Sequence, residues 1–278
     1  MKKILVCVDN NPLNEAVCSY GLEMAKKLNL EVIFLHVIKT PLFTPNFLGL
    51  AAGGLVVTQG SDMVYDPEEL KPTKEQIDEA EDMLKKAKKM ADEAGIKSSS
   101  DLQCGDIIEI LINYSDIASI VVSIKDETED IQNNIIALTR ESKTPILFVN
   151  KEFSEIKSAL VAFDGGDAAI KTLHSIKDSK IFGQDLEYHV LNINKDEKKS
   201  KEILDIARDI LKNENAKFVS LSGEVADELI SYRRANNLDL FVMGSFSKGI
   251  FATLFFGSTS KNVVEKALVP VFVAQWVV

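Results

Sequence analysis

Four short segments in the first half of the chain recur, in the same order, in the second. Lys3-Ile-Leu-Val-Cys-Val-Asp9 parallels Ser158-Ala-Leu-Val-Ala-Phe-Asp164; both are apolar runs ending in aspartate. Leu30-Glu-Val-Ile-Phe-Leu-His-Val37 parallels Leu186-Glu-Tyr-His-Val-Leu-Asn-Ile193. Gly105-Asp-Ile-Ile-Glu-Ile-Leu-Ile112 parallels Gly223-Glu-Val-Ala-Asp-Glu-Leu-Ile230, and Thr144-Pro-Ile-Leu-Phe-Val149 parallels Val269-Pro-Val-Phe-Val273. Ordered recurrence of this kind marks a duplicated unit. The 278 residues hold two units at ~150 residues each, and the polar stretch from Asn150 to Lys157 is the natural join. The units are then residues 1–150 and 151–278.

Inside each unit, apolar runs of strand length alternate with longer amphipathic segments. Strands buried on both faces read as continuous Val/Ile-rich runs rather than as alternating patterns. The second unit places such runs near 158–163, 186–193, 217–222, 239–243 and 270–275. Helices are expected over Asn14 to Leu28, Thr73 to Ala94, within Leu102 to Ser115, and over Asp130 to Ser142. In the second unit they fall over Gly166 to Lys180, Asp196 to Asn213, Gly223 to Asn236 and Ser258 to Leu268. Thr73-Lys-Glu-Gln76 has the form of a capping box. Strict strand–helix alternation implies right-handed crossovers and a parallel sheet covered on both faces. The expected fold class is therefore α/β, with two tandem doubly wound five-stranded parallel-sheet domains. Lys39 to Pro72 interrupts the duplication with a long Gly/Pro-rich connection whose apolar centre suits an interface or a cover.

Charge and cysteine content narrow the partners. The formal net charge is −10, and phosphate neutralisation on nucleic acid needs clustered Lys and Arg, so no nucleic-acid partner is expected. Most of the negative charge lies in the first unit, so an anionic ligand is repelled less by the second. Cys7, Cys18 and Cys104 lack metal-ligand spacing and read as reduced thiols of a cytoplasmic protein. The apolar run after Lys3 is too short for a signal peptide. The run from Phe47 to Val57 falls short of the ~20 residues a membrane span needs.

Ligands of open parallel sheets bind beyond the carboxyl ends of the strands, where the strand order reverses. In the second unit that singles out Asp164, Ile193 and the stretch from Met243 and Gly244 to Ser258. Gly244 lets a ligand approach the backbone. Gly257 precedes a helix for which Ser258 is a good N-cap, and a helix N-terminus offers N–H groups to an anion. Ser245, Ser247 and Thr259 add hydroxyls and Lys248 a cation, so the stretch suits the phosphates of a nucleotide. A Walker A loop is not matched, because Lys248 precedes Gly249. Nor is a Rossmann fingerprint, because the first strand runs into Phe163-Asp164-Gly165-Gly166.

On these residues the chain resembles the universal stress protein family in its tandem form, over its whole length. The family pattern G-x2-G-x9-G-[ST] is met by Gly244, Ser247, Gly257 and Ser258, with Ser247 in place of the middle glycine. The resemblance implies ATP as ligand, with or without magnesium. By it, Asp164 accepts hydrogen bonds from the adenosine, and Ile193 and Met243 line the base pocket. Gly244, Ser247, Gly257, Ser258 and Thr259 hold ribose and phosphates, and Lys248 occupies an often basic position. It also implies that the apolar last strands, 145–149 and 270–275, pair with one another inside the chain. A homodimer and a further protein partner are left open.

The first unit departs from the pattern. After Ile117 to Val122 comes Ser123-Ile-Lys-Asp-Glu-Thr-Glu-Asp130, with no glycine and four carboxylates that would repel phosphates. Nucleotide is therefore expected only in the second unit. His36, His174 and His189 have no metal-ligand companions, and no general base or arginine finger is evident. The expected role is a nucleotide-dependent regulatory module. The alternatives are a nucleotide-independent interaction protein and a slow ATP-hydrolysing enzyme of the adenine nucleotide α-hydrolase-like layout.

Overall fold

A computed structural model of the chain describes residues 2–39, 71–124, 138–139, 141–244 and 269–274. The connection 40–70, most of the expected helix 130–142 and all of 258–268 lie outside the described residues. The first half forms β1 (Lys3–Cys7), α1 (Asn14–Leu28), β2 (Glu31–Ile38), α2 (Lys74–Glu93), β3 (Ser98–Cys104), α3 (Ile107–Asn113), β4 (Ile117–Ser123) and β5 (Ile146–Val149). The second forms β6 (Ser158–Ala162), α4 (Asp167–Ser179), β7 (Glu187–Ile193), α5 (Glu197–Ile210), β8 (Ala216–Leu221), α6 (Val225–Ala235), β9 (Leu240–Gly244) and β10 (Val271–Ala274).

All ten strands join one sheet in the order β3-β2-β1-β4-β5-β10-β9-β6-β7-β8. Within each half every pairing is parallel. The halves meet in one antiparallel pairing, Val271 opposite Phe148, Phe272 opposite Leu147 and Val273 opposite Ile146. The two apolar last strands therefore pair with each other, as the resemblance implies.

The strand runs alternate between two apolar layers. Ile4, Val6, Val161, Val190 and Phe272 face one layer, with buried residues of α1, α2, α4 and α5. Leu5, Leu160, Leu191, Phe241 and Val273 face the other, with α3 and α6. Burial on both faces is why the central strands carry no polar alternation. The outer strands depart from this, β3 above all. Its sequence, Ser-Ser-Ser-Asp-Leu-Gln-Cys, is polar and half exposed because it forms an outer edge, and the apolar-run criterion does not find it. Helix α2 begins with the expected capping box, Thr73 and Gln76 each bonding the other's backbone.

The join is tied down from the first half. Tyr20 of α1 accepts the Ser154 N–H (3.2 Å), and the Phe153 ring meets it edge-on at 4.9 Å. Lys27 Nζ donates to the Phe182 carbonyl at 3.0 Å, and Phe182 packs edge-on against Phe272 at 5.0 Å. Cys7 and Cys18 are buried thiols, while Cys104 is exposed. Burial holds the Cys7 thiol well above its usual range and pushes Cys18 up to about 12. No helix among the described residues is long and apolar enough to cross a membrane.

α1 and β1 touch so closely that Gly21 has no room for a side chain: a Cβ there would stand 2.2 Å from Val6 Cγ2. Gly21→Ala gains ~1 kcal/mol of helix propensity but overpacks a fully buried contact, which costs roughly 1–3 kcal/mol. A net loss of stability is expected in urea unfolding. Val6→Ala in the same background should recover part of it, giving a favourable coupling between the two substitutions.

Candidate functional site

In each half the chain leaves its first strand at the point where the strand order reverses, between β2 and β4 or between β7 and β9. Asp9 and Asp164 stand there. The register fixes which residues correspond, since Val6 pairs with Val121 as Val161 pairs with Val242. Ser123 thus occupies the place of Gly244, Asn10-Asn11 that of Gly165-Gly166, and His36 that of Asn192.

The carbonyl just before each aspartate is held from the second strand. In the first half His36 Nδ1 donates to Val8 O at 2.7 Å. In the second, Asn192 Nδ2 donates to Phe163 O at 2.8 Å. An imidazole and an amide thus do the same work. Asn192 is only 2% exposed, and its Oδ1 has no partner among the described residues. A buried acceptor left unpaired is costly.

Beyond this anchor the halves differ. In the first, Asn11 Nδ2 donates to Ser123 Oγ, and Ser123 Oγ donates to Asp9 Oδ2 at 3.3 Å. Asn14 Oδ1 accepts the Asp9 N–H at 3.2 Å. Side chains thus bridge the gap between the end of β1 and the end of β4. Asp9 Oδ1 is buried with no partner among the described residues. Burial raises the Asp9 carboxyl above its ordinary range and outweighs the opposing pull of Ser123, Asn11, His36 and Lys39.

In the second half the bridging positions are glycines. Asp164 Oδ1 accepts the Gly166 N–H at 2.9 Å, a turn that leads into α4. Gly165 has φ +78°, a conformation that favours glycine. Gly244 closes β9 against the first turn of α4, where a Cβ would stand 3.1 Å from the backbone of Ala168 and from Thr172 Oγ1. A side chain at Gly244 would therefore press on the first turns of α4, whatever approaches from outside.

Of the sequence-predicted residues, the structure brings Asp164, Ile193, Met243 and Gly244 to the ends of three adjacent strands, β7, β6 and β9. Ile193 and Met243 are buried in the layer beneath α6. Ser247, Lys248, Gly257, Ser258 and Thr259 lie outside the described residues. The sequence criteria missed Asn192, Asn11 and Ser123. Laying one repeat over the other exposes all three, because each changes chemical type between the halves. His189 stands elsewhere, near the start of β7, with Nδ1 3.0 Å from Tyr232 Oη and Nε2 3.2 Å from Glu187 Oε1.

The model of the universal stress protein family matches residues 1–122 and again 156–275. The chain belongs to that family. A curated universal stress protein from Synechocystis sp. is 24% identical over 98% of this chain and 99% of its own. The crystal structure of a universal stress protein from Archaeoglobus fulgidus DSM 4304 superimposes with a TM-score of 0.73 at 20% identity, covering 98% of this chain and 96% of that one. A functionally unknown protein of Pseudomonas aeruginosa PAO1 shares the fold with a TM-score of 0.62 at 13% identity, over 99% and 92% of the two chains. This universal stress protein thus carries two family repeats whose switch points have diverged, one bridged by side chains and one lined by glycine.

The raised Asp9 carboxyl gives the first switch point a pH signature. Its proton stabilises the fold fully below the unfolded value of ~3.9, and that contribution is lost as pH rises through the higher native value. Asp9→Asn removes the ionisation. Its stability relative to the parent should therefore improve from acid to neutral pH, read as the difference in urea midpoints at matched ionic strength. A difference that does not change with pH would contradict the assignment.

Proposed function

We propose that the second half binds an adenine nucleotide, ATP, at its switch point, and that the chain works as a nucleotide-dependent regulatory module. The observation that carries this reading is the contrast between the repeats. Where the first half bridges its switch point with Asn11 and Ser123, the second has Gly166 and Gly244, and Gly165 replaces Asn10. The second half thus lacks the side-chain bridge that closes the first, and its backbone is bare beside Asp164.

The residues present suit an adenosine. Asp164 supplies a carboxylate for ribose or base N–H and O–H donors. Asn192 supplies a buried acceptor that nothing in the described protein satisfies. By family resemblance Ile193 and Met243, buried at the flanking strand ends, would back the base pocket. By family resemblance, Gly244, Ser247, Gly257, Ser258 and Thr259 would hold the phosphates and Lys248 would neutralise charge. Bound ATP would bring a triphosphate whose presence or absence a partner can read; binding rather than turnover is the proposed role. Ser247, in place of the family's middle glycine, favours the second reading, an interaction protein that needs no nucleotide.

Titration calorimetry of nucleotide-stripped protein with Mg-ATP tests this. One site per chain is expected, lost on Gly257→Val and retained on Asp9→Ala. Asp164→Ala should weaken binding at least about tenfold, the scale of one charge-assisted hydrogen bond. Two sites would refute the assignment of the first half. No binding at millimolar ATP would leave the nucleotide-independent reading.

A further inference from the structure

β3 is an outer strand of the sheet, and among the described residues nothing pairs with its other side. Its register with β2 is unbroken from Val32 opposite Ser98 to Ile38 opposite Cys104. Val32 N–H bonds Lys97 O at 3.0 Å, and Gly105 N–H bonds Ile38 O at 3.1 Å. In a parallel ladder this phase turns the odd-numbered residues of β3 toward β2. The N–H and C=O groups of Ser98, Ser100 and Leu102 therefore point outward. Proteins usually blunt such an edge with lysine, proline or a bulge, and β3 has none of the three. β8, at the opposite edge, carries Lys217.

Beside β3 runs an open groove of about 890 Å³, floored by Ser100 and Leu102 and walled by Lys85, Lys86, Lys88 and Lys89 of α2. Of these lysines only Lys89 is ion-paired among the described residues, to Glu93 at 3.6 Å. Glu81 and Asp82 lie one turn before the lysines and Asp92 one turn after. The middle of the groove is thus cationic and its ends are acidic. Two copies of this edge related by a two-fold axis would set lysine against lysine and carboxylate against carboxylate, which disfavours self-pairing.

We infer that β3 is extended by a strand from a partner protein, and that this strand is acidic at alternate positions. Main-chain bonds to Ser98, Ser100 and Leu102 would supply affinity. Every second side chain of the added strand would lie over the groove, where carboxylates meet Lys85, Lys86 and Lys88. This surface is independent of the nucleotide reading.

The test uses the full chain and a fluorescein-labelled, end-capped peptide of alternating Glu and Val, with a Lys/Val peptide as control. Anisotropy at low salt is read for the parent, Ser100→Pro and Lys85→Glu/Lys88→Glu. Proline at Ser100 removes only an outward N–H, a position where edge strands accept it. Binding of the Glu/Val peptide alone is expected, weakened at least about tenfold by either variant. Amide shifts in the parent should centre on Ser98, Ser100 and Leu102, a readout that stands even if a variant folds poorly. Absence of Glu/Val binding would overturn the inference. So would binding that ignores Ser100→Pro and is matched by polyphosphate, which would make the lysines a plain charge patch. Peptide-free dimerisation abolished by Ser100→Pro would instead assign the edge to a second copy.

Discussion

The antiparallel contact between β5 and β10 is the constraint on which the rest depends. A strand order of 3-2-1-4-5 leaves each repeat with an apolar last strand at its rim. Ile146 to Val149 and Val271 to Ala274 are buried throughout, so neither could face water without inviting association. Pairing them removes both rims at once. It also sets the direction of everything else. Because the contact is antiparallel and each repeat is internally parallel, the strands of one half run opposite to those of the other. The helices nevertheless stay in register by face, with α1 and α2 sharing a layer with α4 and α5. That arrangement corresponds to a pseudo-two-fold axis normal to the sheet, and it puts the two switch points at opposite ends of the molecule.

Much of this was legible in the sequence, for a physical reason. A parallel strand covered on both faces has no choice but to be apolar, so β1, β2, β4 and the later strands stand out as Val/Ile runs. The same reason explains the failure at β3, which is covered on one side only and is free to be serine-rich. Helix ends were legible where chemistry marks them, as at Thr73. The end of α4 was legible too, expected at Lys180, which caps it in a left-handed conformation, φ 52°, that no glycine signals.

The candidate site was legible in part. Asp164 could be found because a carboxylate that ends an apolar run is conspicuous, and Gly244 because it opens a long Gly- and Ser-containing connection. Asn192 was hidden. An amide at the end of a buried strand looks like any other polar strand end until its bond to the Phe163 carbonyl is seen. Ser123 was read only as the first residue of an acidic loop. Its contact with Asp9 and Asn11, from sequence positions more than a hundred residues away, is a tertiary fact that no local pattern encodes. Gly244 carried a second meaning that its sequence context did not show, since a Cβ there would crowd α4.

Fusion of the repeats has a consequence for how such a molecule can change. In a dimer of identical single repeats, every substitution is made twice, and a residue that closes one cleft closes both. Covalent linkage lifts that obligation while keeping the strand contact that made the dimer. Asn11 and Ser123 can then bridge one switch point while Gly166 and Gly244 leave its counterpart without side chains. The bridged repeat still supplies a rim, a helical layer and the Tyr20 clasp on the linker. One copy is free to become scaffold because the other has no need to follow.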